Sequence, residues 1–182
     1  MHARRSLHLP RVRKSWAAIG SLIFLVVAPG TVAGLGPWWL TGWAVGEAPP
    51  QVVAPLRIVG AVLVLVGASA LLHAFGRFVL EGLGTPAPVA PPERLVIGGL
   101  YRYVRNPMYL AVLLTIVGEA LVLLQPVLLV YAAVVGAAMA SFVYGYEEPT
   151  LSASFGAEYD AYRRAVPAWW PRLRPWHSDQ ID

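Results

Sequence analysis

A length of 182 residues fits a single domain covering 1–182. Apolar residues make up 57% of the chain and charged ones 13%, about half the charged share of a soluble protein, and the apolar residues fall in long blocks, which points to a membrane protein and away from a soluble globule. The net charge of +4 comes with arginines that flank those blocks, as the positive-inside rule expects, so it does not mark a nucleic-acid binder; the lack of cysteine excludes disulfides, thiolate metal sites and a Cys nucleophile, and no metal-ligand set is read.

Met1–Lys14 carries five basic residues and no acid. A charge-free run follows from Ser15 to Gly46, longer than the roughly 20 residues that one crossing needs. A first span is expected near 16–35, kinked at Pro29-Gly30, with Pro37-Trp38-Trp39 and Trp43 as an interfacial aromatic belt. The basic start, apolar core and small residues Val32-Ala33-Gly34 also fit a cleaved signal peptide, which would upset the charge topology below. Glu47–Pro55 reads as a Pro-rich loop and 56–75 as a second span, whose Gly60, Gly67, Ala68, Ser69 and Ala70 permit close helix packing. His73 near its end fits a packed or interfacial residue better than a ligand.

Residues 81–106 read as a polar cytoplasmic or re-entrant loop, with Gly82-Leu83-Gly84-Thr85-Pro86-Ala87-Pro88 ruling out a helix interior. It is either a plain linker or a lid whose glycines let backbone approach a ligand. From Asn106 to Tyr146 the sole charge is Glu119. Two spans fit there, 107–124 and 126–146, joined by a tight turn at Gln125-Pro126. Glu119 lies about 18 Å along its helix from Pro107, which favours a structural carboxyl over a catalytic one. The tail 147–182 reads as an amphipathic helix: Leu151, Phe155, Tyr159 and Tyr162 share one face. Arg163, Arg164, Arg172 and Arg174 suit an anionic leaflet, with Trp169, Trp170 and Trp176 at the interface. Counting basic residues on either side of each span gives four crossings, both termini cytoplasmic, in a multi-pass protein of the plasma (inner) membrane. The expected fold class is therefore all-α and polytopic.

The densest chemistry sits in Gly98–Leu110, GGLYRYVRNPMYL. Pro107 suits a first helical turn, where its missing N–H costs nothing. Polar groups gathered at such a helix start favour anions. The plain alternative is also open: arginines as positive-inside anchors, tyrosines as an aromatic belt, and Glu147-Glu148 as dipole partners of a tail helix.

Arg105-Asn106-Pro107-Met108-Tyr109, then Glu147-Glu148, then Phe155-Gly156-x-Glu158-Tyr159-x-x-Tyr162 resembles the isoprenylcysteine carboxyl methyltransferase and phospholipid methyltransferase superfamily of integral membrane methyltransferases. The resemblance covers about residues 81–171. It implies S-adenosylmethionine as methyl donor and a lipid-like or hydrophobic acceptor. Arg105, Asn106, Pro107 and Tyr109 match the family's Arg-His-Pro-x-Tyr motif, Glu147 and Glu148 its paired glutamates, and Gly98-Gly99-Leu100-Tyr101 the approach to that motif. The resemblance thus gives Arg105, Asn106 and Tyr109 as catalytic candidates. The cofactor-binding candidates are Gly98, Gly99, Leu100, Tyr101, Arg102, Pro107, Glu147 and Glu148. Asn106 stands where many members have His; it hydrogen-bonds but cannot titrate. Glu147 or Glu148 suits the donor's cationic groups, and Arg102 or Arg105 its carboxylate, in a forked pair. The acceptor stays open between a carboxylate, an amine, a thiol and a hydroxyl. A similar motif in membrane sterol reductases, which bind a nicotinamide cofactor, and a non-catalytic scaffold are the rival readings.

Overall fold

The computed structural model describes residues 23–24, 26–81 and 94–177, with side chains up to 77 in the first long helix. Expectations for 16–22, for the Gly82–Pro88 loop and for 178–182 fall outside those residues. Among the described residues the chain is all-helical, without strands.

The first helical stretch, α1, runs over 26–41. The chain stays helical through Pro29 and beyond it. The chain passes into π-helical turns at Thr31–Leu35, where the Gly36 N–H bonds to the Thr31 carbonyl. The tryptophans 38 and 39 continue the helix, which stops at Gly42, and both are exposed.

The second helix, α2, spans Pro50–Glu81. The expected loop Glu47–Pro55 is therefore shorter, and the expected span 56–75 grows at both ends. Pro50 opens the helix, and Pro55 sits early enough that it withholds one N–H without breaking it. The third helix, α3, is Pro107–Leu123. Its 17 residues reach about 25 Å, short of the ~30 Å hydrocarbon core. It ends on Leu124 in the left-handed region, before the Gln125-Pro126 turn.

The fourth helix, α4, is Val127–Phe142, and it does not stop at Tyr146. It passes through π-helical turns at Val143–Glu147 into α5, Glu148–Phe155. The Glu148 N–H bonds to the Val143 carbonyl, a five-residue reach that carries the helix past Pro149. Gly156, with φ +52°, turns the chain into α6, Ala157–Ala165. The expected tail helix over 147–182 is thus three pieces: the end of the long helix, a short helix, and a non-helical strap through 177.

Two helices are long and apolar enough to cross a membrane, Pro50–Arg77 and Val127–Phe155. Their outer faces carry exposed Ile58, Leu65, Val130 and Val134. α2 and α3 make the most extensive packing in the molecule. Glycines let their backbones touch: a Cβ on Gly118 would meet the Gly60 carbonyl oxygen at 2.7 Å and the Val64 nitrogen at 2.8 Å. One apolar core joins α3 and α4 through Val112, Ile116, Ala120, Leu128 and Ala132. Another gathers Tyr159, Tyr162, Val166 and Trp176. Trp176 is therefore buried and not an interfacial anchor.

Candidate functional site

Three segments far apart in sequence converge at one end of the helices. The first is the loop 94–106. Its 3₁₀ turn Gly99–Arg102 begins with Gly99 at φ +58°, where a Cβ would stand 2.7 Å from His73 Nε2. Only glycine suits both demands. The turn buries Tyr101 against Ala74 and Val96. The second segment is the start of α3, with Pro107 in its first turn. The third is the π-helical passage that carries Glu147 into α5.

Between them lies a cavity of about 350 Å³. Its polar end is lined by Tyr101, Arg105, Asn106, Tyr109, Glu147, Glu148, Tyr159 and Tyr162. Its apolar walls come from Phe24, Val32, Leu71, Phe75, Val112, Met139 and Val143, deep among the helices. Consecutive glutamates on a regular α-helix diverge by about 100°. Here both line the cavity, at the place where π-helical turns alter the winding.

Arg105 Nη1 donates to Glu148 Oε1 at 2.8 Å and to the Tyr159 hydroxyl at 3.2 Å. Both ends of the ion pair are mostly buried, at 11% and 12% side-chain exposure, so water screens it little. Arg163 Nη1 lies 3.7 Å from the other Glu148 oxygen. Glu147 accepts a short hydrogen bond from the Tyr109 hydroxyl. Tyr162 donates to the Tyr101 carbonyl at 2.7 Å. Burial pushes both Tyr159 and Tyr162 above the usual phenol range, against the pull of the Arg105 cation; both stay neutral near neutral pH, Tyr159 accepting from Arg105 and Tyr162 donating to Tyr101.

Of the residues expected from sequence, Tyr101, Arg105, Asn106, Pro107, Tyr109, Glu147 and Glu148 come together on this one cavity. Gly98, Gly99, Leu100 and Arg102 do not line it. Leu100 faces a separate shallow groove with His73, and Arg102 Nε donates to the Trp176 carbonyl at 2.8 Å. Glu119 stands away from the cavity; its Oε2 is buried without a hydrogen-bond partner among the described residues. Sequence patterning missed the apolar walls, because a cavity-lining Leu or Phe looks like any core residue. Trp169, expected at the membrane interface, is also a neighbour of the site. The structure sets that ring against Tyr109, with centroids 6.4 Å apart, and has its Nε1 donate to the Tyr144 hydroxyl at 2.8 Å.

The model of one protein family, phospholipid methyltransferase, matches residues 51–158, more than half of the chain. The chain belongs to the phospholipid methyltransferase family. Membership makes it an enzyme of the methyl-transfer class, and with its two membrane-length helices it is a membrane protein. No curated protein matches it. In this member of the family the matched segment contains α2, α3, α4 and both glutamates, and it stops inside α6.

Proposed function

We propose that this protein transfers a methyl group from S-adenosylmethionine to a hydrophobic acceptor dissolved in the membrane. In this reading it is multi-pass, lies in the plasma (inner) membrane with both termini cytoplasmic, and works at the cytoplasmic surface. The observation that supports this most is the convergence of motif residues some forty positions apart on a single cavity, polar at one end and apolar at the other.

The residues present fit the donor. The cavity volume lies in the roughly 300–1,000 Å³ range of small-molecule sites. Arg105 Nε is buried without a partner among the described residues. An unmet buried donor costs about 1–3 kcal/mol, and a bound carboxylate would relieve it. The lining holds one cation, Arg105, against two carboxylates. Arg105 and Arg163 serve Glu148, whereas Glu147 is met by the neutral Tyr109 hydroxyl. The excess negative charge is thus centred on Glu147, which suits a cationic ligand. S-adenosylmethionine, when bound, supplies a methyl group on an electrophilic sulfonium centre. The chain's own part is to hold donor and acceptor in line and exclude water. Tyr109, Glu147 and Arg105 line the polar end, where Pro107 sets the start of α3. Gly98, Gly99, Leu100 and Arg102 support this wall from behind.

The same charge count bears on the acceptor. With Arg105 committed, the lining offers a second anion no further cation among the described residues, and an unpaired carboxylate in an apolar cavity is costly. This favours an acceptor group that is not an anion, a lipid amine or hydroxyl that gives up its proton as the methyl group arrives, over a prenyl-cysteine carboxylate. The test is label transfer from methyl-labelled donor to a panel of these acceptors in detergent–lipid mixtures. Transfer to amine- or hydroxyl-bearing lipids supports the reading. Transfer confined to the carboxylate would overturn the acceptor argument, and no transfer to any would count against the enzyme assignment.

A further inference from the structure

The strap that follows α6 lies outside the family-matched segment, which ends at residue 158. Three consecutive strap residues meet three residues of the α3 motif. The Pro167 carbonyl accepts from the Arg105 N–H at 2.9 Å. The Ala168 carbonyl accepts from Asn106 Nδ2 at 3.2 Å. The Trp169 ring packs on the Tyr109 ring, whose hydroxyl bonds Glu147. Further along, the Arg172 N–H donates to the Tyr103 carbonyl, and Arg102 and Trp176 exchange two hydrogen bonds. The strap is thus tied down on both sides of Trp169, whose own Nε1 is fixed by Tyr144 on the long helix.

We infer that Trp169 is a positioning residue of the active site: held by the strap, it sets the Tyr109 ring and, through the Tyr109 hydroxyl, the Glu147 carboxylate that faces the donor. This rests on the methyltransferase reading above. In the same arrangement Asn106 spends its amide on the strap, which explains how a side chain that cannot titrate serves at this position. A site whose supporting contacts are lost loosens by fractions of an ångström, enough to weaken binding severalfold without unfolding the protein. The neighbour Trp170 is 80% exposed and supplies a matched control. A tryptophan acting as a membrane anchor would be replaceable to the same degree at either position.

The experiment is donor affinity by calorimetry on the full-length protein in detergent, with unfolding temperature measured on each sample. Trp169→Ala is expected to weaken S-adenosylmethionine binding about tenfold, Trp169→Phe to restore most of it, and Trp170→Ala to leave it unchanged. In a Tyr109→Phe background, where the link to Glu147 is already cut, Trp169→Ala is expected to add little. Should Trp169→Ala fail to fold, Trp169→Leu is read in its place. Wild-type binding that Trp169→Ala leaves intact, or equal losses at 169 and 170, overturns this inference alone. A wild type that binds no donor overturns the functional reading and this inference with it.

Discussion

Arg105 is held on one side of its guanidinium and open on the other. Nη1 is fixed by Glu148 and Tyr159, while Nε is buried and, among the described residues, unmet. The two glutamates therefore differ in kind. Removing the Glu148 charge strips a buried cation of its partner, and Glu148→Gln is expected to lower stability by about 1–3 kcal/mol. Glu147→Gln removes the negative charge and leaves an amide oxygen to accept from the Tyr109 hydroxyl. It should change stability by less than about 1 kcal/mol while weakening donor binding at least about tenfold. Thermal unfolding and donor titration on the two variants separate these effects; similar profiles for both would contradict the distinction. Tyr162 gives a pH prediction. Its folded-state pKa is raised by burial, so the folded chain keeps a proton that the unfolded chain releases near pH ~10. The stability it contributes is complete below that pH and is lost as pH rises above it. Tyr162→Phe should lower stability near neutral pH by about 1 kcal/mol through the lost bond to the Tyr101 carbonyl, and flatten the alkaline decline. Unfolding temperature followed from pH 8 to pH 11 checks both parts.

The helices join through small residues and bend through wide turns. Gly118 and Gly60 let α2 and α3 meet backbone to backbone, so Gly118→Ala drives a methyl into the Gly60 carbonyl and the Val64 amide. The expected cost is about 1–3 kcal/mol. Gly145→Ala, with nothing within 4 Å of its Cβ, should be close to neutral or slightly stabilising. Unfolding in detergent compares the two, and equal stabilities would mean the helices part more easily than this packing allows. The same elements mark the reach of local sequence signals. Apolar blocks located α2, α3 and α4, because helix period and hydropathy are local. Their ends were misplaced at prolines and at charges. Pro55 read as part of a loop, yet it sits in an early turn, and Glu147-Glu148 read as the opening of a separate tail, yet π-helical turns carry the helix through them and past Pro149. Whether a helix widens to pass a proline depends on its neighbours, which no local pattern encodes. Tyr159 and Tyr162 were read as one face of an amphipathic helix and Trp176 as interfacial; together they form a buried cluster with Leu95 and Ile97 of the distant loop.

At the scale of the molecule, the motif segments were legible because their residue types are unusual beside apolar spans. Their convergence was not, since it depends on how α2, α3 and the long helix pack. Nor was the choice between Arg102 and Arg105 as the cavity cation, which the Arg102 bond to Trp176 decides in favour of Arg105. The apolar walls contributed by Phe24, Leu71, Phe75 and Met139 carry no sequence signature at all. They make the cavity open toward the hydrophobic interior of the fold, as a lipid-tailed acceptor requires. The central claim is that this cavity binds S-adenosylmethionine through its carboxylates and Arg105. The most direct measurement is titration of the detergent-purified protein with S-adenosylmethionine and, separately, with reduced nicotinamide dinucleotides, for the wild type and for the Glu147→Gln/Glu148→Gln double variant. Saturable binding of S-adenosylmethionine by the wild type, its loss in the double variant, and no binding of the nicotinamide nucleotides is the predicted result. Donor binding that survives in the double variant, or saturable binding of a nicotinamide nucleotide alone, would contradict it.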